Sequence, residues 1–272
     1  MGTLRTSELV SIAYFLAVAL MAWRRSVWPA VRIRTSAVAL IVAAAVYAVA
    51  LTGTGPPRRW VAVRDWLPVA LLLLSYWLPA ALVSGPLLSF ERWLLAVDRR
   101  VLASRPGRAL TRAPRAGREL LEAGYLAVYP MVPLGFALLA AAGLRGHADR
   151  FWTTVLAAEY LCYFLLPLLP SRPPRDIEGF AAYGGKHSTV RRLNLAILGR
   201  ASNRWNTFPS GHVAGAAACA LAILPLMPAA GAALLAVSVL IAAGSVAGRY
   251  HYAADAVAGA LVAGLVALLL AV

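Results

Sequence analysis

The sequence predicts an all-α, polytopic membrane protein built as a helical bundle. Hydrophobic residues make up 61% of the 272 residues and the mean hydropathy is +0.72, whereas soluble domains are about half apolar. Apolar stretches of about 20 residues, enough to cross a bilayer core of about 30 Å, recur along the chain. The two cysteines, Cys162 and Cys219, lie inside such stretches, so we expect no disulfide framework.

Eight apolar stretches are candidate membrane spans. In chain order they are Leu9–Trp23, Ala37–Thr52, Leu67–Val83, Leu120–Ala142, Phe151–Leu169, Gly211–Ala229, Gly231–Gly248 and Tyr252–Val272. Glu8 precedes the first stretch, and two arginines follow it without a small-residue cleavage site. These flanks favour a retained helix over a signal peptide.

The chain is strongly basic, with a formal net charge of +15, and 26 of its residues are Lys or Arg. A soluble protein of this charge would suggest nucleic acid, but no basic pattern interleaved with aromatic residues is present. We therefore expect the arginines to face lipid phosphates at the bilayer surface, with the bilayer as partner and no nucleic-acid partner.

The loop between the third and fourth spans predicts a helix that lies in the membrane interface. Phe90, Leu94, Val97 and Val101 are spaced by four, three and four residues and share one helix face. Asp98 is expected on the opposite, polar side, and an arginine-rich tether follows.

Three polar clusters lie far apart in sequence but meet at one membrane face when the spans are followed in order. The fifth span ends at "PSRPPR", the sixth begins at "PSGH", and the seventh returns to the same face at "GRYHYAAD". The convergent residues are Arg172 with Arg175, Ser210 with His212, and Arg249 with His251 and Asp255.

The residue types in these clusters suit phosphate chemistry. On a helix, Asp255 would lie one turn from His251, accept from one imidazole nitrogen and leave the other nitrogen free for attack. Ser210 is a natural N-cap, and the N–H groups that follow it, with the arginines, can bind an anion. His212, inside that first turn, is placed to protonate a leaving alkoxide.

At these residues the chain resembles the type 2 phosphatidic acid phosphatase superfamily of integral-membrane lipid phosphatases. "PSGH" matches at Pro209–His212 and "HYAAD" matches at His251–Asp255. The resemblance implies that His251 is the nucleophile, Asp255 its partner and His212 the acid. It also implies that Ser210, Gly211 and the arginines bind phosphate, and that no cofactor or metal is needed. It covers roughly Leu67–Val272, so we expect a two-helix extension over residues 1–65 and a six-helix catalytic membrane domain over residues 66–272.

Two positions depart from the family pattern. The lysine that precedes the first arginine is replaced by Leu165 or Leu168, depending on the register, and "PSRPPR" is similar to the branch containing inositol phosphorylceramide synthases. That similarity favours Arg175 as a phosphate ligand. The last family arginine is replaced by Ser245, with Arg249 one helical turn later.

Three functions fit these residues. A lipid phosphatase would resolve a phosphohistidine with water, a phosphotransferase would resolve it with an alcohol such as inositol or a sugar, and a lipid-phosphate binder or transporter would perform no chemistry. A zinc site made of His212, His251 and Asp255 lacks the usual ligand spacing. Glu159, inside the fifth span, is expected to hydrogen-bond within the bundle or to relay protons.

The distribution of arginines predicts the orientation. With eight spans, the loops on the side of the motifs carry most of the basic residues. The positive-inside rule then places the site at the cytoplasmic face of a bacterial inner membrane, whereas most members of the family that the chain resembles have it outside. The lipid substrate stays open among phosphatidic acid, a polyprenyl phosphate or diphosphate, a phosphorylated glycerolipid and a phosphoinositide-like donor.

Overall fold

The computed structural model describes residues 4–52, 58–179 and 189–270. This part of the chain is helical and contains no β-strand; Ser171 and Asn206 form an isolated bridge. The predicted all-α bundle is therefore confirmed. Its helices are α1 (Thr6–Arg24), α2 (Pro29–Thr52), α3 (Arg58–Ala80), α4 (Leu88–Ala103), α5 (Arg105–Thr111), α6 (Arg115–Leu126), α7 (Val128–Ala141), α8 (Ala148–Leu165), α9 (Pro174–Glu178), α10 (Thr189–Ala201), α11 (Gly211–Ile223), α12 (Pro228–Ala247) and α13 (Ala253–Leu269).

Within the described residues, fewer helices than the eight candidate stretches have by themselves the length and composition of a membrane span. Four helices there are long and apolar enough to cross a bilayer, namely α1, α2, α3 and α12. Helices α6 and α7 qualify together but meet at a bend of 59°. The bend has a local cause, because Pro130 has no N–H to donate to the carbonyl of Leu126; it stands at the third position of α7, where a helix has no partner for the N–H in any case. Helices α11 and α13 are shorter apolar helices.

Helix α8 forms the centre of the bundle and packs against α1, α3, α7, α11 and α13. Trp152, Val155, Leu156 and Cys162 are fully buried along its length. A helix that is apolar around most of its circumference is stable only when it is surrounded by other helices, which explains this position. The same position buries Glu159.

Small residues let α11 approach α8 closely. A Cβ atom at Gly211 would collide with the ring of Tyr163, and one at Gly215 would collide with the Glu159 carboxylate. The remainder of α11 is rich in alanine, which also favours close helix packing. Large side chains of α8 therefore lie directly against the backbone of α11.

Helix α13 lies equally close to the beginning of α11. A Cβ atom at Gly259 would lie 2.5 Å from the carbonyl oxygen of Ser210. The Ser210 N–H donates to the carbonyl oxygen of Asp255 at 3.0 Å. The two segments that carry the histidine motifs are thereby joined through their backbones.

Helix α4 forms as predicted, but its buried face is different. Glu91, Leu94 and Asp98 are buried, whereas Val101 is 41% exposed. Glu91, Leu94 and Asp98 are spaced by three and four residues, so they share one face of the helix. Asp98 was expected on the polar side and is instead buried. Burial is possible because arginines from other segments pair with the carboxylates of Glu91 and Asp98.

The first two helices pack onto the rest of the bundle. Helix α1 contacts α2, α3 and α8. Glu8 pairs with Arg64 at 2.6 Å, and Arg5 pairs with Asp65 at 2.7 Å. The division of the chain at residue 65 stays a prediction.

The contact at Gly259 predicts a difference between two glycines of one helix. Gly259→Ala should lower the free energy of unfolding by about 1–3 kcal/mol, because the added methyl group meets backbone that cannot move aside. The matched control is Gly264→Ala on α13, where nothing lies within 4 Å of the new Cβ, and it should leave stability unchanged or raise it by up to about 1 kcal/mol. Thermal unfolding in detergent measures both, and equal midpoints for the two variants would contradict this packing.

Candidate active site

Two imidazoles contact each other at one end of the bundle. Nδ1 of His212 and Nε2 of His251 are 3.2 Å apart, within hydrogen-bond distance. His212 is the second residue of α11, and His251 lies in the connection between α12 and α13. Because one nitrogen must donate and the other accept, a neutral pair needs complementary tautomers.

Asp255 orients the second imidazole. Its Oδ2 atom is 3.3 Å from Nδ1 of His251 and accepts from the Tyr252 N–H at 2.8 Å. Helix α13 begins only at Ala253, so His251 precedes the helix on which the sequence placed it. The peptide N–H groups of Tyr250 and His251 both donate to the carbonyl oxygen of Ser245. These backbone bonds hold His251 in place without a helical turn.

The beginning of α11 forms the floor beneath the imidazoles. Ser210 is the N-cap, and its Oγ accepts from the Val213 N–H at 3.4 Å. Ser210 is fully buried, and Gly211 packs against the ring of Tyr163. The free N–H groups of this first turn carry the positive end of the helix dipole, which favours an anion next to His212.

The structure separates the three arginines that the sequence grouped together. Arg175 lines the same small cavity as His212 and His251, and its Nη1 lies 3.4 Å from the Tyr250 carbonyl oxygen. Arg172 instead binds Glu91 through Nε and Nη2, at 3.1 and 2.8 Å.

Arg249 is also engaged by carboxylates. It is buried, has a positive φ of 61° and pairs with Asp98 and, at 2.6 Å, with Glu178. Of the three arginines, Arg175 is thus the one whose side chain the structure brings to the imidazoles.

Asp98 is a site-supporting residue that sequence reasoning missed. Its second oxygen accepts from the Ala253 N–H at 2.9 Å, so one carboxylate both holds Arg249 and caps α13. The available signal was its spacing from Glu91 and Leu94, which places it on the buried face of α4.

A second buried network, also missed, supports the connection that carries His251. Glu122 is fully buried and accepts from Arg191 at 2.7 Å, from the Asn194 amide at 2.8 Å and from the Tyr250 hydroxyl at 2.6 Å. The Tyr250 ring stacks on Tyr125 at a centroid distance of 4.0 Å. Tyr250, the residue directly before His251, is therefore held by the hydrogen bond of its hydroxyl group and by the stacking of its ring.

A larger, mainly apolar cavity of about 340 Å³ adjoins the site. Tyr76, Leu198, Ser202 and His212 line both this cavity and the small polar one. Its wall includes Leu73 and Trp77, which are 66% and 44% exposed on the outside of the bundle. The cavity therefore leads from the lipid-facing surface to His212.

Burial sets the protonation state of His251. The loss of hydration, with a smaller contribution from the positive charge of Arg175, lowers the pKa of His251 to about 3, against about 6.5 for a free histidine. His251 is accordingly neutral at neutral pH, so an unprotonated nitrogen is available.

The fold and the site together define an integral-membrane helical protein with a paired-histidine site at one end of its bundle. The sequence model of the PAP2 superfamily matches residues 92–269, which is more than half of the chain, and the chain therefore belongs to the PAP2 superfamily. Members of this superfamily are phosphatases or phosphotransferases. Searches of curated proteins and of solved structures found no match.

The buried pair of Asp98 and Arg249 predicts a large stability effect. Asp98→Asn should lower the free energy of unfolding by about 3 kcal/mol or more, because it leaves a buried guanidinium with one partner fewer and weakens the cap of α13. The matched control is Arg99→Gln, since Arg99 pairs with the same Glu178 but is 69% exposed, and its loss should cost at most about 1 kcal/mol. Thermal unfolding in detergent compares the two; a smaller loss for Asp98→Asn than for Arg99→Gln would contradict the buried pair.

The low pKa of His251 predicts a specific pH dependence. Between pH 6.5 and about pH 3 the unfolded chain binds a proton at His251 and the folded chain does not, so acidification through this range should reduce stability. Nitrogen-15 NMR of histidine-labelled protein, assigned with His251→Gln, should show a neutral imidazole at pH 7 and still at pH 5. A His251 titration centred near pH 6.5 would contradict the burial of this group.

Proposed function

We propose that the chain hydrolyses phosphate monoesters of membrane lipids through a phosphohistidine at His251. The observation that carries this proposal is the hydrogen-bonded line of Asp255, His251 and His212, placed where an apolar cavity from the lipid-facing surface ends. A carboxylate that fixes a neutral imidazole on one side and an acid on the other is what nucleophilic attack on phosphorus requires.

The first step forms the bond between Nε2 of His251 and phosphorus. The phosphate displaces the contact between His212 and Nε2 of His251 and takes its place between the two imidazoles, with its oxygens facing Arg175 and the N–H groups at the start of α11, which stabilise the charge that develops there. Asp255 accepts from Nδ1 of His251 and so directs the lone pair of Nε2 towards phosphorus. His212 enters this step protonated, because the negative charge of the bound phosphate favours the imidazolium form, and it donates that proton to the leaving lipid alkoxide.

The second step releases phosphate. His212, now unprotonated, removes a proton from a water molecule that attacks the phosphorus, and the bond to Nε2 breaks. The enzyme returns to its starting state with inorganic phosphate and a lipid alcohol as products. The proton that His212 donates in the first step is replaced by the proton that it takes from water in the second.

The apolar cavity supports a lipid as the substrate. A volume of about 340 Å³ lies in the range of ligand pockets. Leu73 and Trp77 of α3 belong to its wall and are exposed on the outside of the bundle, so acyl chains can stay in the bilayer while the headgroup reaches His212. A soluble phosphate ester has no acyl chain to pack against this apolar lining.

A second candidate is a phosphotransferase in which an alcohol replaces water in the second step. The position of Arg175 favours it, since the "PSRPPR" segment is similar to that of the inositol phosphorylceramide synthase branch and places Arg175, not Arg172, in the cavity with the histidines. The chemistry of the first step is the same in both candidates.

Release of phosphate from a panel of lipid monophosphates by purified protein in EDTA tests the proposal. His251→Ala should abolish turnover, and His212→Ala should lower it by about 10²–10⁴-fold, the usual contribution of a general acid. His147→Ala is the matched control, because His147 is exposed and precedes α8 at the other end of that helix, and it should keep wild-type activity.

The intermediate and the acceptor are tested in the same preparation. A radiolabelled lipid phosphate should label wild-type protein, in an acid-labile and base-stable form, and should not label His251→Ala. A product that appears only when inositol or another alcohol is added would select the phosphotransferase. Full activity of His251→Ala would refute both candidates.

A further inference from the structure

Glu159 is a buried carboxylate that the proposed reaction does not use. It lies in the central helix α8 and is 7% exposed. Burying a carboxylate inside a bundle of apolar helices is unfavourable unless the carboxylate has polar partners.

Only one of the two carboxylate oxygens of Glu159 accepts a hydrogen bond from a described residue. The Tyr163 hydroxyl donates to Oε2 at 2.9 Å, and among the described residues no other hydrogen-bond donor to this carboxylate is found. The backbone of α11 leaves room for it, because only a glycine at position 215 avoids a collision with Oε1. The arrangement places a hydrogen-bond acceptor directly against α11.

Glu159 and His212 line the same apolar cavity. On α11, position 215 lies three residues after His212 on the same face. A rise of about 1.5 Å per residue places the Glu159 carboxylate about 4.5 Å deeper along α11 than His212. A lipid whose phosphate lies between the histidines therefore passes Glu159 with the first carbon atoms beyond its ester oxygen.

We propose that Glu159 selects lipid monophosphates that carry a hydroxyl or amino group on the carbon next to the phosphate-bearing carbon. The Glu159 carboxylate accepts a hydrogen bond from that group while the acyl chain follows the apolar wall. Lipid phosphates without such a donor leave the carboxylate facing hydrocarbon, which is unfavourable. This inference rests on the proposed function, since it assigns the substrate class of the same site.

Two substrates that differ only in the donor test the inference. The first is 1-acyl-glycerol 3-phosphate, which has a free 2-hydroxyl group, and the second is its 2-deoxy analogue with the same acyl chain. Wild-type protein should show a kcat/KM about 3-fold to 10-fold higher for the hydroxyl substrate, as expected for one net hydrogen bond in a buried site. In Glu159→Leu, which has similar volume and no acceptor, this ratio should fall close to one.

Further variants make the result independent of folding. Glu159→Gln preserves shape and an uncharged acceptor, so its ratio should lie between those of wild type and Glu159→Leu, and it decides the matter if the leucine variant does not fold. Glu119→Gln is the matched control, because Glu119 lies outside both cavities, and it should keep the wild-type ratio.

The failures of the two proposals are distinguishable. If wild-type protein releases phosphate from both substrates at equal rates, or if all Glu159 variants keep the wild-type ratio, the role of Glu159 is refuted and the proposed function stands. If wild-type protein neither releases nor transfers phosphate from either substrate, the proposed function fails and this inference fails with it.

Discussion

The site depends on one backbone hydrogen bond, from the Ser210 N–H to the carbonyl oxygen of Asp255 at 3.0 Å. It joins the first turns of α11 and α13, and it forms only because Gly259 has no side chain between the two helices. Ser210 and Asp255 are fully buried, so water does not compete for the hydrogen bond between them. As a result His212 and His251, carried by different segments, meet at 3.2 Å.

The arginines at this end of the bundle have two roles: most pair with buried carboxylates and stabilise the fold, whereas Arg175 faces the histidines. Buried carboxylates of α4 hold Arg249 and Arg172, while Glu122 holds Arg191. An arginine held by a buried carboxylate is largely neutralised, and its fork of donors is occupied. Arg175 makes only a weaker contact with Asp176, at 3.6 Å, and it faces the histidines. Among the described residues that line the small cavity, Arg175 is the one that carries a permanent positive charge, and the start of α11 adds the positive end of its dipole.

Much of the fold could be predicted, because apolar composition and helical spacing are local signals. Each predicted apolar stretch corresponds to a helix or to the bent pair α6 and α7. The exceptions have physical causes. The fourth stretch bends because Pro130 removes a helical hydrogen bond. The sequence predicted Phe90, Leu94, Val97 and Val101 as the apolar face of an interfacial helix, but ion pairs with distant arginines made the face of Glu91, Leu94 and Asp98 the one buried in the bundle.

The sequence by itself determined Ser210 at an N-cap and His212 in the following turn, because backbone capping acts over a few residues. It did not determine how His251 meets Asp255, since His251 precedes α13 and is held by backbone bonds to Ser245 and not by a helical turn. Only the tertiary structure decided that Arg175 faces the histidines and Arg249 does not, and that Glu159 lies beside the cavity of His212. Those outcomes depend on which buried carboxylate reaches which arginine and on the close contact of α8 with α11, and no local pattern contains such long-range pairings.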